Sequence, residues 1–177
     1  MKQVIKIASA VLFLSQIIMA QDTSTTIFEF YQGQGNDQKV IKLNPESKDL
    51  IAVPKNTNSN SYLNAFIIIP AKDNPNQVYL LSAKQNNLYL CKMGENKLGF
   101  KEFEENNRNL YSWEIQYAGF PYALIKDPLS NERRVIRLIG DKLELYTVPN
   151  DQWGLLNNND PRGNSYRFKM EQIKNTL

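Results

Sequence analysis

Short apolar runs broken by polar turn residues set the rhythm of this chain. The rhythm is clearest from Gln77 to Gln116, where runs at 78–81, 88–91, 98–100 and 111–115 follow one another within forty residues. Runs this short and this regularly spaced predict β-strands of a closed or sandwiched all-β domain, because helices need longer stretches with a 3.6-residue period. Four such strands alone leave edges open and one apolar face wet, so the unit needs partners of its own kind.

Two further sets of runs flank this unit. The first comprises 27–31, 39–43, 49–53 and 62–69, punctuated by Gly33, Gly35, Asn36 and Asp37 and then by Asn44-Pro45. The last comprises 122–126, 133–139, 142–148 and 165–170, while residues 71–76, marked by Pro70 and Pro75, read as a connector. Gly140-Asp141 signals a tight hairpin in the last unit, and Gly94-Glu95-Asn96 holds the same place in the central one. Three units of four strands result, at about 27–70, 77–116 and 120–172.

The closing runs share a finer pattern. Asn109-Leu-Tyr111-Ser-Trp113-Glu-Ile115 and Asn164-Ser-Tyr166-Arg-Phe168-Lys-Met170 both read Asn-x-Tyr-x-aromatic-x-aliphatic. Alternation along a strand puts Tyr, the large aromatic and the aliphatic residue on one face, so each closing strand is expected to drive three large side chains into a common core. Phe66 is the expected counterpart in the first unit.

The N-terminus departs from this pattern. Lys2 and Lys6 precede an apolar run from Ile7 to Met19, and Ala20 ends it before polar Gln21. This is the layout of a signal peptide over residues 1–20, and it predicts a secreted, single-domain chain over 21–177; an uncleaved anchor is the competing reading. Without the two leader lysines, 19 basic residues face 18 acidic ones, a net charge of +1. Nucleic-acid binding needs a clustered basic surface, and Arg133, Arg134 and Arg137 read as one polar strand face, so no nucleic-acid partner is expected. Nor is a membrane partner expected once the leader is removed.

Composition narrows the chemistry further. The chain contains no histidine, which excludes Ser-His-Asp, Cys-His and histidine-metal sites. Cys91 is the single cysteine, so no internal disulfide forms, and it reads as a half-buried structural thiol. No Asn-x-Ser/Thr sequon occurs. Glu102, Glu104 and Glu105 beside Lys101 form the densest acidic group, but a glycosidase needs two carboxyls facing each other across a cleft, and this group reads as a solvated loop. A non-enzymatic protein without cofactor or metal is expected; a carboxylate-only hydrolase is the competing enzyme reading.

Three four-strand units in a chain of this length resemble the β-trefoil, a six-strand barrel capped by three hairpins. The central unit, with Leu88-Tyr-Leu-Cys91, Lys97-Leu98 and the stretch from Phe103 to Ser112, is similar to that of fibroblast-growth-factor-type trefoils. It lacks their basic late loop, since Arg162 is the lone cation between Gly154 and Ser165. The third unit resembles a ricin-type lectin repeat, in which an Asp after the first strand, an aromatic on the third and an Asn before the closing strand form a sugar pocket. Asp127, Tyr146 and Asn164 stand at those places, without the family's Gln-x-Trp signature or its disulfides.

Sugar recognition needs an aromatic face for the apolar side of a pyranose and planar amides or carboxylates for its hydroxyls. The loop after Tyr146 supplies Trp153, Asn157 and Asn164, and Leu143 to Phe168 spans 25 positions where Leu98 to Trp113 spans 15. Long loops on a rigid scaffold tend to carry function. The expected site is therefore Asp127, Tyr146, Trp153, Asn157 and Asn164. The expected protein is a monomeric recognition module whose partner is a glycan or, alternatively, an extracellular protein bound in a growth-factor-like or inhibitor-like manner.

Overall fold

Valine, isoleucine and aromatic residues fill the apolar runs and suit a pleated, half-buried surface. The structure, a computed structural model, describes residues 27–33, 37–55, 65–119, 121–156 and 161–173; the expected leader and Asn157 lie outside them. The first unit holds β1 (Ile27–Gln32), β2 (Lys39–Leu43), β3 (Leu50–Pro54) and β4 (Ala65–Ala71). The second holds β5 (Asn74–Ser82), β6 (Leu88–Lys92), β7 (Leu98–Glu102) and β8 (Glu114–Tyr117). The third holds β9 (Tyr122–Lys126), β10 (Arg134–Ile139), β11 (Lys142–Thr147) and β12 (Phe168–Ile173).

The first and last strands of the units close a ring. β1 pairs with β4, β4 with β5, β8 with β9, β9 with β12, and β12 back with β1, all antiparallel. β5 meets β8 through reciprocal bonds between Val78 and Trp113, N to O at 2.8 and 2.9 Å. The middle strands form three hairpins, β2–β3, β6–β7 and β10–β11.

These hairpins hold one another through the backbone. Ala52 N donates to Asp141 O at 3.0 Å, Phe100 N to Lys48 O at 2.9 Å and Leu145 N to Asn96 O at 3.0 Å. Each unit's third strand thus donates to another unit's hairpin turn, and the bonds pass round the cap in one cyclic order. A six-strand ring with this cap is a β-trefoil.

The units meet in one core. Trp113 and Phe168 are fully buried, and Phe66 lies between Phe30, edge-on at 5.6 Å, and Phe100, stacked at 6.0 Å. Trp113 also satisfies its indole N–H, which donates to Leu90 O at 3.1 Å. A void of about 10 Å³ remains among apolar side chains that include Phe30, Leu80, Ile125, Phe66 and Phe168. That is room for about one water, and the residues that line it are all apolar.

Three local expectations change. Residues 71–76 are not a connector: β5 already starts at Asn74, pairing with Ala71 across a tight turn, and Pro75, which has no N–H to donate, sits near the start of its strand. The closing tyrosines do not enter the barrel core. The 3₁₀ helices Glu105–Leu110 and Pro161–Tyr166 delay β8 and β12, so alternation starts too late to place Tyr111 and Tyr166 beside Trp113 and Phe168. Both tyrosines pack in satellite clusters instead. Cys91 is fully rather than half buried, and burial pushes its thiol up to about 11.

Candidate functional site

The long third-unit loop folds onto its own apolar cluster. After β11, Val148 and Leu156 sink completely beside Leu124, Val135 and Tyr166. Leu156 ends the short helix Trp153–Leu156, which packs against Pro161–Tyr166. Tyr146 and Trp153 lie partly buried against the same cluster, so these two expected site residues come together.

Cations surround both rings. The Lys126 ammonium lies 5.8 Å and the Arg133 guanidinium 5.3 Å from the Trp153 ring centre. Lys126 is paired with both Glu114 carboxylate oxygens at 3.2 Å. The Arg137 guanidinium sits 3.3 Å from the centre of Tyr146 and binds Glu144 at 2.7 Å, while Tyr166 stacks on Tyr146 at 6.0 Å. Tyr146 and Trp153 are both half-buried.

Asp127 is turned elsewhere. Its carboxylate accepts from Lys92 Nζ at 2.7 Å and Leu129 N at 3.2 Å, with Arg134 Nη1 at 3.6 Å. The side chain is only 5 % exposed, so it ties the second unit to the third rather than facing a ligand. Asn164 is exposed; its backbone O accepts from Gln32 Nε2 at 2.8 Å and its Oδ1 from Arg167 Nη2 at 2.7 Å. Arg133, Arg134 and Arg137 serve three different partners.

The second unit carries an aromatic patch that the sequence reading did not single out. Phe103 is its hub, with ring centres 5.0 Å from Tyr79, 5.2 Å from Tyr89 and 5.1 Å from Tyr111. The Tyr111 hydroxyl donates to Glu102 O at 2.7 Å, while Tyr79, Tyr89 and Phe103 remain half-buried. Tyr79 and Tyr89 sit next to core-facing positions of β5 and β6; their outward alternation was the available signal. Among the described residues no group of three or more acidic or cysteine side chains is placed to hold a metal ion, and no helix is long and apolar enough to cross a membrane.

No protein-family model matches the sequence, and the search of curated proteins finds no match. Solved structures do match. SeviL bound to asialo-GM1 saccharide aligns with a TM-score of 0.57 and 12% identity over 83% of this chain and 98% of that one. The designed threefold-symmetric protein ThreeFoil gives 0.56 and 9% over 82% and 99%. The Polyporus squamosus lectin, bound to a Neu5Acα2-6Galβ1-4GlcNAc epitope, gives 0.61 and 11% over 85% of this chain and 50% of its own. At these identities the likeness concerns the fold: the chain is an all-β protein of β-trefoil architecture.

Proposed function

We propose that the chain is a secreted, non-enzymatic and monomeric recognition module that binds carbohydrate on the third unit, around Trp153. One observation carries this reading: a tryptophan held half-buried on a packed apolar cluster, on a helix that touches the turn bearing Asn164. An indole so fixed offers a pyranose, at little ordering cost, the apolar surface that Lys126 and Arg133 leave open, and the exposed amide of Asn164 lies on the segment its helix packs against. The fold shared with sugar-bound trefoils supports the same reading. Absence of histidine and the buried, protonated Cys91 support a non-catalytic role.

The test is a glycan array followed by tryptophan-fluorescence titration with the best ligand. Trp153→Ala is expected to weaken binding at least tenfold while the far-UV circular dichroism stays that of the parent. Unchanged affinity in this variant, or no sugar response at all, abandons the proposal. A protein-binding role is favoured by a different surface, the half-buried rings of Tyr79, Tyr89 and Phe103. A tight one-to-one complex recovered from an extracellular fraction and lost in Tyr89→Ser would support that second reading.

A further inference from the structure

Of the three arginines near the third unit's middle strands, two have carboxylate partners. Arg134 lies against Asp127 and Arg137 against Glu144. Arg133 has none among the described residues: its guanidinium lies against the Trp153 ring and its side chain is exposed. The neighbouring acids are engaged elsewhere, Glu132 accepting from Thr147 Oγ1 at 2.9 Å and Glu114 from Lys126. The main chain of Arg133 is pinned to the base of the long loop, since its carbonyl accepts from Val148 N at 2.9 Å. Lys126 reaches the same ring from a separate strand.

A guanidinium held over part of an aromatic ring can read a planar anionic group on a sugar that packs against the rest of that ring, because its forked N–H groups match two anionic oxygens. We infer that the sugar taken at Trp153 is acidic, bearing a carboxylate or sulfate that Arg133 binds, with Lys126 in support. This rests on the carbohydrate reading above and names the class of its ligand. Arg133 is the specificity-determining residue, and Trp153 is the platform for neutral and acidic sugars alike.

The experiment uses matched glycan pairs that differ only in the acid: sialylated, glucuronylated and sulfated oligosaccharides, each against its neutral parent, titrated into the full chain and into Arg133→Gln. Parent protein is expected to prefer the acidic member by roughly fivefold to tenfold, the worth of one partly solvated charge-assisted contact. The preference should shrink in high salt. In Arg133→Gln the ratio of acidic to neutral affinity should fall to near one, a readout in which any change common to both sugars cancels, and the exposed position protects the fold. The carboxylated and sulfated arms then show which acid is read. A ratio near one in the parent, or a preference untouched by Arg133→Gln, overturns this inference and leaves the carbohydrate reading standing. No binding to any pair overturns both.

Discussion

Asp127 shows how the fate of a single residue depends on distant sequence. In the chain it follows a first strand and is spaced for a sugar hydroxyl; in the fold it is claimed by Lys92, on a strand of the preceding unit, and by Arg134. No local pattern announces a partner 35 residues away. Removing this carboxylate leaves two cations mostly buried without their counter-charge, which costs more than the pair contributes. Asp127→Asn is accordingly expected to lose about 3 kcal/mol of stability. Urea unfolding should show it as a lowered midpoint at unchanged slope. A loss below about 0.5 kcal/mol, as for surface substitutions, would return Asp127 to the candidates for ligand contact. Trp153 differs from Asp127: the loop that carries it is marked by its length and asparagines alone, and in the fold the ring stays half-buried against the third unit's own apolar cluster.

At the scale of elements, strand existence was written in the apolar runs, but strand beginnings were not. The two 3₁₀ helices lack an apolar stripe, so nothing in their letters separates them from the strands they precede, and the alternating pattern runs back into Tyr111 and Tyr166, two to three residues before β8 and β12 begin. Hairpin turns were better marked. Gly140 adopts a φ of +61°, where a β-carbon is strained although nothing lies within 4 Å of it. Gly94, in the corresponding turn, is equally open and has no positive φ. Gly140→Ala should therefore cost about 1 kcal/mol through the backbone alone. Gly94→Ala should be neutral or stabilise by about 0.5 kcal/mol through the unfolded chain. Thermal melts of the two variants would show opposite or clearly unequal shifts; equal losses would contradict the turn assignment.

The whole molecule is a ring in which the ends of the described chain are neighbours. Ile27 and Ile173 are direct cross-strand partners, so first and last strands complete the barrel together. Chain order is then a minor constraint on the native state. A circular permutant that joins Ile173 to Ile27 through a short Gly/Ser linker and opens between Ser130 and Asn131 is expected to keep the far-UV circular dichroism spectrum and to melt within a few degrees of the parent. Failure to fold would show that closure depends on the native ends. The threefold plan was readable from spacing, whereas the ring was not, because pairings between the ends of a chain leave no trace in any local window.

The three bonds that pass round the cap join main chain to main chain. A clasp of this kind asks nothing of the side chains beside it, only that each turn offer one carbonyl in the right direction. Letters can therefore drift, and whole turns can be exchanged between relatives or by design, while the clasp stays shut. The units keep their mutual orientation whatever the outer loops do, and the third unit's loop can be longer than the second's without disturbing the cap.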